Sequence, residues 1–156
     1  MQPNIKKDFS ALPTSRTRKQ AADLATLALG KLPPQAKELE EAVLGAIMLE
    51  KDKFPDVLEI LSTPDCFYVD ANQKIYAAII RLSTKGQAID LLTITEELRK
   101  SNDLEIVGGP YYLTKLTMSV VSSAHVIAHA RIVLEKFIQR ELIKICSGII
   151  NSAYED

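Results

Sequence analysis

Apolar residues along this chain recur mainly at three- and four-residue intervals, the period of helices that bury one face. Leu39, Ala42, Val43, Ala46, Ile47 and Leu49 predict a helix over residues 36–50. Pro33 and Pro34 stop it on the N-terminal side, because proline has no amide hydrogen and fits just before or at a helix start. Glu38, Glu40 and Glu41 crowd its first turns and read as carboxylates facing the positive end of the helix dipole. Gly45 in the middle costs about 1 kcal/mol relative to Ala. Its presence predicts a second helix packed close against this one.

A second helix is predicted over residues 53–61, with Phe54, Val57, Leu58 and Leu61 on one face. Ser62-Thr63-Pro64-Asp65 ends it, since the residue before a proline is driven out of helical space. Cys66-Phe67-Tyr68 supplies an apolar anchor. A third helix over residues 71–84 places Ile75, Ile79 and Leu82 together and closes at Gly86. Ile89 to Leu92 forms an apolar connector. Thr93 and Glu96 fit a capping box, which predicts a fourth helix running to about Lys100. Gly108-Gly109-Pro110 punctuates, and a fifth short helix turns Tyr112, Leu113 and Leu116 inward.

The last predicted helix differs in kind. Ser122-Ser123 offers a cap, and no proline interrupts residues 124–154. About 30 residues at 1.5 Å each make a rod of roughly 45 Å, against a radius of about 15 Å for a domain of this size. The expected arrangement is therefore a helix that projects. Leu134, Ile138, Leu142, Ile145, Ile149 and Ala153 form an apolar stripe beside Glu135, Arg140 and Lys144. An uncovered stripe predicts a protein interface at Leu134, Ile138, Leu142, Ile145 and Ile149, with Arg140 at its edge. Folding back onto the head is the alternative.

The elements define an all-α fold: a small helical bundle head over residues 32–121 and a long projecting helix over 122–156. A flexible tail over 1–31 precedes them. Its residues 21–29 have the makings of two helical turns, too few to be stable alone. The tail carries six Lys/Arg against two Asp, and the rest of the chain thirteen against eighteen Asp/Glu. The folded part is acidic and lacks the basic footprint of a primary nucleic-acid binder. No apolar run approaches the ~18 residues of a membrane span, and the absence of an apolar h-region with a cleavage site leads us to expect no secretory signal. Cys66 and Cys146 read as two buried free thiols in a reducing cytoplasm.

Little of this sequence points to catalysis. His125 and His129 stand four apart and could share a metal, but no third ligand is placed near them, so they read as a surface or interface pair. Gly108-Gly109 lacks the strand and spacing of a phosphate loop, and no G-x-x-x-x-G-K-[ST] occurs anywhere. Catalytic, cofactor-binding and metal-binding residues are therefore expected to be absent.

The residues also carry a family resemblance. Pro34-Gln35-Ala36, Glu38, Glu40 and Val43-Leu44-Gly45-Ala46-Ile47-Met48-Leu49-Glu50 resemble the opening helix of bacterial replicative DNA helicases of the DnaB type. Phe67-Tyr68, Ala71-Asn72, Ile75-Tyr76 and Ala78-Ile79 resemble the third helix of that family. Gly86 with Ile89-Asp90-Leu91-Leu92-Thr93 and Glu97-Leu98 resembles its G-x-x-I-D-x-x-T loop and helix, and Gly108-Gly109 with Tyr112-Leu113 and Leu116 its GG-x-x-YL turn. Ala130 to Val133, Glu135-Lys136 and Arg140 to Ile143 resemble its hairpin helix. The match runs in order over about residues 33–154. Asn72 stands where the family commonly has His, and Lys37 where it often has an apolar residue.

The resemblance implies an N-terminal domain that organises a hexameric ring, with hairpins of adjacent subunits pairing and a surface for primase. It also implies a cytoplasmic parent enzyme that unwinds duplex DNA with ATP and Mg²⁺ in a RecA-like motor lying beyond this chain. That motor would make most of the DNA contacts, and a helicase loader is a further implied partner. The long helix is then the first arm of a hairpin, and the chain a piece ending before the motor. A stand-alone helical adaptor or loader-like protein is the alternative function, and a metal-dependent hydrolase built on His125 and His129 a more distant one.

Overall fold

The computed structural model describes residues 30–120 and 122–155. The expectations for the N-terminal tail up to residue 29 lie outside them. Among the described residues there are six α-helices and no strand: α1 (Lys37–Leu49), α2 (Phe54–Ile60), α3 (Asp70–Thr84), α4 (Leu91–Lys100), α5 (Gly109–Met118) and α6 (Val126–Tyr154). Short 3₁₀ turns at Lys51–Lys53 and Pro64–Cys66 flank α2. The all-α expectation holds.

One compact unit spans Pro34–Gln139 and contains the core. Val43, Leu44 and Ile47 of α1 are fully buried, as are Phe67, Ile75, Tyr76, Ile79, Ile94, Leu98, Leu113 and Leu116. Each such aliphatic side chain contributes roughly 1.5–3 kcal/mol when removed from water. The first turns of α6 belong to this core through Val126, Ala130 and Val133. Tyr76 is the largest buried side chain, packed against Phe67 at 4.8 Å and Phe54 at 6.0 Å between ring centroids. Its hydroxyl donates to the Leu61 carbonyl at 2.8 Å, and burial pushes the phenol well above its ordinary range.

The close approach predicted at Gly45 is present. A Cβ there would lie 2.2 Å from the Leu116 carbonyl oxygen and 2.5 Å from Val120 Cγ2. No side chain but hydrogen lets α1 and α5 meet at this distance.

Several local expectations need correction. Leu49 is 55% exposed, because Ala46, Ile47 and Met48 already occupy the core side of the last turn of α1. The capping box at α4 is formed by Asp90 and Thr93, not Thr93 and Glu96. Asp90 Oδ1 accepts the Leu92 and Thr93 amides at 2.9 Å each, and Thr93 Oγ1 accepts the Asp90 amide at 3.0 Å. Asp fills the capping role as well as Thr does, so the helix begins at Leu91, earlier than Thr93 suggests. Glu96 pairs instead with Arg99 on the exposed side. At the other end of the head, Ser122 Oγ accepts the Ala124 amide at 3.2 Å and Ser123 donates to Glu50. The two serines hold the turn ahead of α6, whose helix starts at Val126.

Candidate protein-interaction site

The three acidic residues at the start of α1 separate into different roles. Glu40 is 1% exposed, whereas Glu38 faces solvent and Glu41 is half-buried. The Glu40 carboxylate accepts the Tyr68 amide at 2.6 Å, the Val69 amide at 3.2 Å and the Asn72 side-chain amide at 3.0 Å. Val69 is the N-cap residue of α3 and has no side-chain oxygen to offer. Glu40 supplies that oxygen from a distant helix and places its charge at the positive end of α3. Helix-start electrostatics within α1 therefore does not account for Glu40. Its signal was in the register: Glu40 lies three residues before Val43 and seven before Ile47, on the buried face.

Asn72 extends the brace. Its Oδ1 accepts the Tyr112 hydroxyl at 2.8 Å, and that hydroxyl lies 3.4 Å from Glu41 Oε1. Lys115 completes the chain, 3.4 Å from Glu41 Oε2 and 5.7 Å from the Tyr112 ring centroid. Burial, reinforced by the Glu41 carboxylate, pushes the Tyr112 phenol up to about 12. This polar chain, buried at Glu40 and Asn72 and reaching the surface at Lys115, ties α1, α3 and α5 together.

A second cluster joins α3 to α4. Glu97 is 4% exposed and takes Arg81 Nε at 2.9 Å and Lys85 Nζ at 3.0 Å. Those hydrogen bonds, from Lys85 first and then Arg81, hold its carboxyl below the usual range. Lys74 does the same to Asp103 at 2.6 Å. Glu97 was marked only by the family resemblance and not as an ion-pair partner, although it sits three residues after Ile94 and next to Leu98, both fully buried.

The first turns of α6, up to Gln139, belong to the same unit as these braces. Of the residues predicted to form an interface, Leu134 is half-buried and packs against the core. Ile138 is 49% exposed. Farther along the helix, Leu142, Ile145 and Ile149 are exposed, and Arg140 is half-buried. Ile150 and Tyr154, which the narrow stripe did not include, are exposed as well. Of the two cysteines, Cys66 is buried as predicted but Cys146 is exposed. Cys146 follows Ile145 directly, on a stretch of helix where even the isoleucines remain accessible.

The groups weighed for catalysis do not assemble. Gly108 and Gly109 both have positive φ, +103° and +69°, and form the tight turn into α5. Among the described residues no three or more His, Cys, Asp and Glu side chains group as a metal centre. No helix among them is long and apolar enough to cross a membrane. What the molecule presents is a braced helical frame and a helix bearing exposed aliphatic side chains.

Those features define an all-α domain, and comparison with known proteins supplies its family. The family model described as the DnaB-like helicase N-terminal domain matches residues 32–135, and the chain belongs to that family. It is 46% identical over 140 residues to the replicative DNA helicase DnaB of Rhodothermus marinus, covering 90% of this chain and 15% of that protein. Against the replicative DNA helicase DnaB of Geobacillus stearothermophilus the identity is 42% over 124 residues, 80% of this chain and 27% of the other. Among solved structures, the N-terminal domain of DnaB helicase from Mycobacterium tuberculosis aligns with a TM-score of 0.75 at 36% identity, covering 79% of this chain and 88% of that one. A DnaB-like replicative helicase solved in a study of its interactions with primase aligns with a TM-score of 0.67 at 32% identity, covering 78% of this chain and 28% of the other.

Proposed function

We propose that this domain serves as the organising collar of a replicative DNA helicase, pairing subunits through α6 and offering primase a docking surface. The observation that carries this reading is the set of large aliphatic side chains left accessible on α6: Ile138, Leu142, Ile145 and Ile149. Exposed apolar area on this scale marks a surface that another protein covers. Leu134 sits at the inner edge of that surface and Arg140 beside it. Membership of the helicase family supplies the setting, and the primase partner named for one structural relative supplies the second contact.

In this reading the head and the long helix are a binding part, and unwinding of duplex DNA with ATP and Mg²⁺ is the work of a motor in the same cytoplasmic enzyme. A hexameric ring, a loader and most contacts to DNA belong to that whole enzyme. The acidic balance of residues 32–156 suits a protein partner better than DNA as the direct ligand of this domain.

Titration of fluorescently labelled primase from the same genome with this chain tests the docking role. Saturable binding in the micromolar range or tighter, weakened by charge placed at Ile138 and Leu142, is the expected outcome. No change in anisotropy up to 100-fold excess of the chain would remove primase docking from the proposal.

A further inference from the structure

The pair His125 and His129 is left unused by the proposed function. The His129 amide donates to the His125 carbonyl at 3.0 Å, so the turn that carries both side chains is already helical. The ring centroids are 6.3 Å apart with a 49° angle between planes. His125 is exposed and His129 half-buried, so an ion can reach the space between them from solvent.

The geometry points to a two-histidine chelate for a divalent transition-metal ion (Zn²⁺, Ni²⁺ or Cu²⁺) at the entry to α6. Imidazole nitrogen suits these borderline ions and not Mg²⁺ or Ca²⁺. Metal–nitrogen bonds of about 2.0–2.1 Å put two ligating nitrogens roughly 3–3.4 Å apart. Residues at i and i+4 of a helix share one face, the spacing at which two imidazoles ligate a single ion. Water fills the remaining positions, since no third protein ligand joins the pair among the described residues. Such a site is weaker than a closed structural zinc site, and the partial positive charge at the start of the helix weakens it further. It is therefore a labile, exchangeable site and not a catalytic one.

The position gives the ion a mechanical role. The turn from His125 leads into Val126 and Ala130, both buried in the core. An ion bridging residues i and i+4 staples the first turn of α6, where helix ends otherwise fray. It binds the folded helix and not the open one, so it raises stability with metal concentration.

Isothermal titration of the tag-free chain with NiCl₂ at pH 8 tests the assignment. The expected result is one Ni²⁺ per chain, with His125→Ala and His129→Ala each weakening binding at least tenfold. Zn²⁺ should also raise the melting temperature of the parent and leave that of either variant unchanged. In the absence of metal, equal melting temperatures for parent and variants show that the substitutions leave the fold intact. Single variants that bind Ni²⁺ as tightly as the parent overturn the assignment. So does one Ni²⁺ per two chains, which would mean an ion bridging copies, or no binding at millimolar Ni²⁺.

Discussion

Glu40 and Asn72 lie on different helices and meet at 3.0 Å, the carboxylate of one accepting the side-chain amide of the other. The Glu40 carboxylate of α1 is hydrogen-bonded by donors at the start of α3, and Asn72 passes the link on to Tyr112 of α5. Burying a carboxylate is costly unless its oxygens are satisfied, and here two backbone amides and one side-chain amide satisfy them. The head of this domain is therefore held in register by a polar chain as well as by apolar packing.

Removing the carboxylate should be severe. Glu40→Ala leaves the Tyr68 and Val69 amides and the Asn72 side chain without their acceptor, at a cost of about 3 kcal/mol or more. Glu40→Gln keeps one acceptor oxygen and should lose less. Urea denaturation followed by circular dichroism checks the order parent, Gln, Ala. An Ala variant as stable as the parent would show that water replaces the brace.

Gly45→Ala pits two effects against each other. Alanine gains about 1 kcal/mol in helix propensity, but its Cβ would sit 2.2 Å from a backbone oxygen of α5. Backbone cannot swing aside like a side-chain tip, and overpacking costs about 1–3 kcal/mol. The expected result is a net loss of up to about 2 kcal/mol in chemical denaturation. Stabilisation instead would mean that α5 slides freely on α1.

The ion pairs of α3 and α4 set an acid limit. Glu97 and Asp103 have carboxyl groups held below their ordinary range by Lys85, Arg81 and Lys74. Their contribution is present above the unfolded-state value and is lost as pH falls through the lower folded-state value. Glu97→Gln should thus be less stable than the parent at neutral pH, with the gap closing in the acid range below about pH 4.5. Melting temperatures measured from pH 7 to pH 2 give both curves. Parallel curves over that range would show that the Glu97 ion pairs contribute nothing to folding.

The two thiols should separate by reactivity. Cys146 is exposed and Cys66 buried, so a thiol reagent at pH 8 should modify one cysteine per chain quickly and the second only on unfolding. Cys146→Ser should abolish the fast phase. Two equal fast phases would place Cys66 at the surface.

Much of this fold was legible because helical period and helix breakers are local signals. Val43, Ile47, Ile75, Ile79 and Leu116 all fall in the core where spacing put them, and Gly45 marks a close contact because only crowding explains a glycine there. Glu40 was harder to read. Three neighbouring carboxylates look alike in sequence, and the donors that make one of them structural lie 28 to 32 residues away. The α4 cap was misplaced because Thr93 fits two templates, and only the backbone position of Asp90 decides between them. Cys146 was misjudged from residue type alone, since free cysteine is usually buried and the exposed character of the last α6 turns is set by what covers them.

The central claim is that the accessible aliphatic side chains of α6 form a protein interface. Burying each is worth roughly 1.5–3 kcal/mol, set against about 4–15 kcal/mol lost in association, so a self-associating chain in the micromolar range is the expected balance. Sedimentation equilibrium from 1 to 100 µM on the parent and on the variant carrying Ile138→Asp with Leu142→Asp is the most direct test. The account predicts dimers or larger species for the parent and monomers for the variant, with the same helical content by circular dichroism. A parent that remains monomeric throughout, or a variant that associates equally well, would contradict it.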